Sequence, residues 1–217
     1  MEHPGRVFVI SGASGTGKTS LVHWLLEHAQ GLELSLSTTT REPRKNEHNG
    51  EQYNFVDREQ FERMLHNGEL LEHTELYGNF YGTSRSDLER IRARGVDVLF
   101  EIDGIGAVQI KGALPEARLI FIVPPSMETL RQRLEQRGTD SDEVIQRRLA
   151  NARREMSYLG SSEFVVINDE FDAAARDLLS IVNYIRGGDA QRADECRLER
   201  SLSRLDPQIA AGAGFNR

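Results

Sequence analysis

The stretch "VFVISGASGTGKTSL", residues 7–21, sets an apolar run against a glycine-rich loop and the start of an amphipathic helix. Val7 to Ile10 is continuous and β-rich, the mark of a buried strand. From Lys18 to Gln30, Leu21, Leu25 and Leu26 share one helical face. Gly12, Gly15 and Gly17 fall within six positions, where each costs backbone entropy unless the geometry demands it. A backbone that wraps closely round a bulky anion makes that demand. "GASGTGKT" also fits the spacing G-x-x-x-x-G-K-[ST], in which N–H groups of the loop and helix N-terminus face phosphates. Lys18 then reaches the β/γ oxygens, and the Thr19 hydroxyl binds Mg²⁺. An ordinary glycine turn is the plainer alternative; the strand before and the helix after weigh against it. The stretch reads as a cradle for a nucleoside triphosphate.

Bulk properties narrow the rest. A chain of 217 residues can bury a sizeable core as one domain with inserted lobes. A formal net charge of -7 argues against a general nucleic-acid or membrane-surface binder, so an anionic ligand needs a local positive cluster. That cluster would be arginine, since the chain holds 24 arginines and only three lysines, Lys18, Lys45 and Lys111. The single cysteine, Cys196, allows no intramolecular disulfide and suits a reducing compartment. No signal-peptide anatomy or membrane span is apparent, and a cytoplasmic protein is expected.

Further along, "DVLFEI" (97–102), "RLIFIV" (118–123) and "FVVI" (164–167) repeat the buried-strand signature. Helical segments at about 105–113, 126–137, 141–159 and 172–185 separate or follow them, with capping signals at Ser126 and at Asp140-Ser141. Such alternation predicts an α/β fold, a parallel sheet wrapped by helices. Residues 38–85 break the rhythm. They are rich in Tyr, Thr, Gly and Asn, hold a short helix near Arg58 to Asn67, and read as short antiparallel strands in an inserted lobe. From Gly187 onward a peripheral helix and a frayed end are expected.

Three further constellations carry chemistry. In "TTTREPR" Arg41 and Arg44 stand three apart, with Tyr53 nine beyond; two guanidinium forks and a phenol suit a phosphate monoester. "YGNFYGTS" adds the hydroxyls of Tyr81 and Thr83, and Glu72 follows two leucines where a partly buried carboxylate needs donors. Residues 131–155 carry Arg133, Arg137, Arg147, Arg148 and Arg153 beside apolar positions Leu130, Leu134, Val144, Ile145 and Leu149. Most charged helices are simply solvated; on this scaffold the set reads as a mobile lid, broken at Gly138-Thr139-Asp140, that brings charge to a transferring phosphoryl group. "VLFEID" ends a core strand with Glu101 and Asp103, which could organise Mg²⁺ through water, or a ribose or base, or serve only as a cap or salt bridge.

Taken in order, "SGASGTGKTSL", "STTTREPR…NGEQYNFV", "LLEHTELYGNFYGTS", "FEIDGIGA", "RLEQRGTDSDEVIQRRL" and "VVINDEF" make residues 5 to 186 resemble a guanylate kinase of the nucleoside-monophosphate kinase superfamily. The resemblance implies a P-loop NTPase-like, five-stranded parallel sheet with an inserted mixed α/β GMP-binding lobe and a helical lid. It implies Mg²⁺-dependent transfer of the ATP γ-phosphoryl group to GMP or dGMP, in purine metabolism and GMP recycling. By the same resemblance Gly12, Ala13, Ser14, Gly15, Thr16, Gly17, Lys18, Thr19 and Ser20 hold ATP, with Arg133, Arg137 and Arg148 at phosphates and Asn168 beside the adenine. Arg41, Arg44, Tyr53 and Tyr81 match positions that hold the GMP phosphate; Ser37, Glu72, Thr83 and Asp103 match those around the guanine. Lys18, Arg41, Arg137 and Arg148 are the expected catalytic residues. Asn46 stands where the family usually has glycine, which puts the shape of that turn in question.

The implied organisation is a kinase domain over 1–186, with a core (1–36, 96–130 and 161–186), a GMP lobe (37–95) and a lid (131–160), followed by a tail (187–217). ATP and GMP are the expected partners, with no nucleic acid or membrane and with a homo-oligomer left open. Two rivals share the scaffold. A kinase of ribose 1,5-bisphosphate has no use for a guanine-reading carboxylate, so Glu72 with Thr83 speaks against it. Guanylate-kinase-like protein-binding modules usually lack a complete phosphate loop or lid.

Overall fold

The computed structural model describes residues 4–76, 78–136 and 141–214. Arg137 and the Gly138-Thr139-Asp140 break, both expected in the lid, lie outside the described residues. The chain opens with β1 (Val7–Ser11), α1 (Lys18–His28), β2 (Leu32–Leu34), β3 (Thr38–Thr39) and β4 (Asn54–Phe55). There follow α2 (Arg58–His66), β5 (Leu70–Leu76), β6 (Asn79–Ser84), α3 (Arg85–Arg92) and β7 (Asp97–Glu101). Then come α4 (Gly104–Ala113), β8 (Arg118–Val123), α5 (Met127–Gln136), α6 (Asp142–Met156), β9 (Phe164–Ile167) and α7 (Phe171–Ile185). Three short helices complete the described chain: α8 (Gln191–Glu195), α9 (Leu198–Ser201) and α10 (Pro207–Gly212).

Two sheets organise these elements. The five-stranded sheet has the order β2-β7-β1-β8-β9. In it β2 pairs with β7, and β8 with β9, in parallel. The apolar runs supply these strands: every residue of β1 is buried, as are all of β8 but Arg118. The expected α/β sheet wrapped by helices is therefore present. The four-stranded sheet has the order β4-β3-β6-β5. Here β5–β6 and β3–β6 are antiparallel, but β3 and β4 pair in parallel, which corrects the expectation of antiparallel strands throughout. A two-residue strand has no periodicity to reveal its direction. The helix α3 was also not foreseen; only Leu88 and Ile91 mark its buried face, and Ser84 caps it.

The chain divides into two compact units, Met1–Phe8 with Gly31–Phe100 and Ile105–Ala117, and Val9–Gln30 with Glu101–Gly104 and Arg118–Arg217. In the first, Asp57 caps α2 by accepting the Gln60 N–H, and the fully buried Phe61 anchors that otherwise largely exposed helix. In the second, Leu130 and Leu134 of α5 pack with Ile145, Leu149, Ala152 and Met156 of α6. The helical spacing of those apolar residues produces one continuous buried stripe.

The segment after Gly187, read from sequence as peripheral, contributes to that same core. Leu205, Ile209 and Ala210 are buried with the α6 residues. Asp206 caps α10 and Pro207 fills its first position, so the helix start is well specified. The carbonyl of Cys196 accepts the Val165 N–H at 2.7 Å, and the Leu198 N–H donates to Glu163 at 3.0 Å. Arg197 thereby forms an antiparallel bridge with Phe164 on the outer edge of β9. Cys196 is buried, and burial pushes its thiol up to about 12. Among the described residues no helix is long and apolar enough to cross a membrane.

Candidate active site

In the second unit, the loop between β1 and α1 is built by close backbone approaches. Gly12 has φ 149°, and a Cβ there would lie 2.4 Å from the Ile122 carbonyl oxygen. The next turn closes on Ala13, whose carbonyl accepts both the Thr16 hydroxyl at 2.8 Å and the Thr16 N–H at 3.3 Å. Gly17 has φ 88° and opens α1, with no side chain capping the helix. The first N–H groups of α1 are therefore presented for an external acceptor. A Cβ on Gly17 would lie 2.3 Å from the Asn168 amide nitrogen. That amide donates to the Thr16 carbonyl at 2.7 Å. Asn168, expected only beside an adenine, thus also braces the loop from the end of β9. Nothing in its local sequence announces that role.

Around the loop stand the expected polar groups. The Lys18 ammonium donates to the Ile102 carbonyl at 3.1 Å, and the Thr19 hydroxyl to Glu101 at 2.6 Å. Arg148 of α6 donates to the Ser14 hydroxyl at 2.7 Å. Arg133 of α5 turns to the Asp169 carbonyl at 3.2 Å. Gly15, Gly17, Ser20, Arg133, Asn168 and Phe171 line a cleft of about 390 Å³ beside the loop. Glu155, which is not among the residues expected from sequence, accepts the Gly104 N–H through its carboxylate at 2.8 Å. Burial raises the Glu155 carboxyl; the Gly104 N–H opposes that shift and the charge of Asp103 adds to it.

The first unit gathers Ser37, Arg41, Arg44, Tyr53, Glu72, Tyr81 and Thr83, whereas Asp103, expected with them, belongs to the second. Glu72 is 3 % exposed and Thr83 1 %. They are cross-strand partners next to an irregularity at Leu70/Glu72, and the Thr83 hydroxyl donates to Glu72 at 2.6 Å. A carboxylate this buried requires donors, and its strand supplies one from the neighbouring strand. Ser37 accepts the Asn54 N–H through its carbonyl at 2.9 Å, which holds β4 beside it.

Arg41 is the centre of the polar cluster. Its guanidinium donates to both Glu47 oxygens, at 2.9 and 3.0 Å, and to the Glu42 carbonyl at 2.8 Å. It lies 5.3 Å above the Tyr53 ring and 5.6 Å above Phe55, and the Tyr53 ring meets Tyr81 edge-on. The Arg44 N–H donates to Glu47 at 2.9 Å, and the Glu47 N–H returns to the Arg44 carbonyl at 3.0 Å. The turn thus closes with Asn46 in it. Burial works to lower the Arg41 guanidinium, and the bond and charge of Glu47 overcome it, leaving the group raised. The Arg44 N–H, then the Arg41 guanidinium, hold the Glu47 carboxyl below the usual carboxylate range against burial. Glu47 was not among the expected site residues because "KNEHNG" looks like any exposed charged turn.

A glycine-rich loop at a helix N-terminus in one unit and an arginine-tyrosine cluster with a buried carboxylate in the other can be compared with known proteins. A family model described as Guanylate kinase matches residues 4–184. A guanylate kinase of Neisseria gonorrhoeae is 49% identical over 197 residues, covering 91% of each chain. One from Nitrosomonas europaea is 53% identical over 176 residues, 81% of this chain and 88% of the relative. The crystal structure of guanylate kinase from Anaplasma phagocytophilum superposes with a TM-score of 0.69 at 36% identity, covering 86% of this chain and 87% of that one. Family, relatives and fold agree across both units, and the chain belongs to the guanylate kinase family of phosphotransferases.

Proposed function

We propose that this chain transfers the γ-phosphoryl group of ATP to GMP, and to dGMP, giving ADP and GDP, in purine nucleotide metabolism and the recycling of GMP. The observation that carries the choice of acceptor is the buried Glu72 carboxylate, held beside the Thr83 hydroxyl. Guanine offers two donors, N1–H and the 2-amino group, that one carboxylate can accept together. Arg41, Arg44, Tyr53 and Tyr81 hold the acceptor phosphate, with Ser37 at the base side of the lobe (37–95) and Asp103 contributing from the strand end. The loop from Gly12 to Ser20 holds the donor triphosphate, Asn168 and the cleft beside it take the adenosine, and Arg133 and Arg148, with Arg137, supply charge from residues 131–160. The buried, lone Cys196 fits a reducing cytoplasm.

The reaction needs no general base. A phosphate oxygen of GMP is already largely ionised near neutral pH, with a second pKa of about 6. That oxygen attacks the γ-phosphorus in line, the bond to the β–γ bridging oxygen breaks, and ADP leaves with the electron pair. Lys18, Arg41 and Arg148 then act by position and charge, neutralising the equatorial oxygens. Around Thr19 and Glu101 the donors are all oxygen, which fits Mg²⁺. Thr19 would hold the ion directly, with Glu101 and Asp103 through water, and the ion would supply charge neutralisation between the phosphates. Among the described residues no group of three or more His, Cys, Asp or Glu could hold a metal ion.

An ADP-release assay with ATP, Mg²⁺ and GMP, dGMP, AMP, UMP or ribose 1,5-bisphosphate tests the reading. GMP and dGMP should be turned over far faster than the others. Preference for ribose 1,5-bisphosphate, or no turnover of GMP, overturns it.

A further inference from the structure

Helix α6 meets the phosphate-loop machinery at two places. Arg148 reaches the Ser14 hydroxyl at 2.7 Å, and seven residues later Glu155 accepts the Gly104 N–H at 2.8 Å. Seven residues are two helical turns, so both side chains leave the same side of the helix. The neighbouring stripe of Ile145, Leu149, Ala152 and Met156 fixes the helix rotation against the core. The second contact is an unusually close one. A Cβ on Gly104 would lie 2.4 Å from the Tyr158 ring, so the chain passes directly over the second residue after α6. Immediately before Gly104, the Ile102 carbonyl receives Lys18 and the Glu101 carboxylate receives Thr19.

We infer that Glu155 is a positioning residue, which anchors the C-terminal end of α6 to the 101–104 segment and so sets where Arg148 stands over the phosphate loop. A half-buried carboxylate is costly beside Asp103, and its raised position reflects that burial. Nothing about α6 as a packed helix requires an acid there, because the apolar stripe already fixes its core face. What the acid provides is an acceptor for the first N–H of α4, one residue from Asp103. Helix α6 is thereby referenced to the same short segment that tethers Lys18 and Thr19. The two positive groups, Lys18 and Arg148, then share one frame.

The inference rests on the kinase reading, and a double-mutant cycle separates the two. GMP phosphorylation by the unaltered enzyme tests the reading; the coupling between Glu155 and Arg148 tests the inference. Glu155→Ala should lower kcat about tenfold or more through misplacement of Arg148, with KM for GMP nearly unchanged. Glu155→Gln keeps an acceptor oxygen for Gly104 and should retain most of kcat. In an Arg148→Ala background, Glu155→Ala should cost less than about twofold, because the group it positions is gone. If the alanine variant does not fold, Glu155→Asp, which withdraws the acceptor by one methylene, should show the same loss in one background and not in the other. Equal losses in both backgrounds, a loss that glutamine fails to rescue, or a lowered melting temperature with unaltered kcat would overturn the assignment.

Discussion

The Thr83 hydroxyl donates a 2.6 Å hydrogen bond to the Glu72 carboxylate across the β5–β6 ladder, where the two residues are register partners. One carboxylate oxygen is therefore oriented by the sheet itself. Adenine would turn its unprotonated N1 toward this acid and leave a buried acceptor unmet, whereas guanine supplies donors.

Glu72→Gln preserves the shape but replaces one acceptor with an amide donor. With a charged hydrogen bond worth about 1.5–3 kcal/mol, kcat/KM for GMP should fall at least about tenfold. Activity on AMP should stay poor and lose less. Measuring both acceptors in both proteins decides the matter: an unchanged GMP-to-AMP ratio removes Glu72 from base recognition.

Lys18→Ala gives up one hydrogen bond to the Ile102 carbonyl, of order 1 kcal/mol, and no packing in the core. Turnover should drop by about a hundredfold or more, as for other groups that meet developing charge. The thermal melt should move by only a few degrees. Near-normal kcat in a folded variant contradicts a phosphate-contacting lysine.

The Arg41–Glu47 pair makes acid sensitivity calculable in sign. Folding lowers Glu47 from its ordinary value of 4.5. Its stabilising contribution is present above the unfolded value and is lost as pH falls through the lower folded value. Melting curves from pH 7 to pH 3 should show Glu47→Gln less stable than the unaltered chain near neutrality, with the gap closing on acidification. A gap that widens at low pH runs against the pairing.

Ile209 of α10 is fully buried with Ile145, Leu149 and Met156. Ile209→Ala should cost about 2–5 kcal/mol in denaturant unfolding, the range for emptying a packed aliphatic site. A cost below about 1 kcal/mol would mean that the C-terminal helices lie on the core without being part of it.

Much of this architecture is legible before any coordinates, for identifiable reasons. Gly12, Gly15, Gly17, Lys18 and Thr19 announce themselves because geometry and chemistry constrain the same few positions. The strands at 97–101, 118–123 and 164–167 are built on the apolar runs Val98–Phe100, Leu119–Val123 and Phe164–Ile167, and their burial on the sheet follows directly. Other features depend on distance in space alone. Helix α3 is mostly charged, and β3 and β4 are too short to carry a period. Glu47 and Glu155 sit among arginines and look solvated; only the fold sets one against Arg41 and the other against Gly104. Leu205 shares a helical spacing with Leu198 and Leu202 that suits a partner chain, yet the fold turns it into its own core.

The bridge between Phe164 and Arg197 has a consequence for synthesis. Strand β9 lies at one margin of the five-stranded sheet, and an open margin is a template for pairing with another chain. Cys196 to Leu198 cover it, but they leave the ribosome some thirty residues after the strand does. During that interval the nascent sheet has an unguarded flank, and crowded translation of this chain should be most prone to aggregation then.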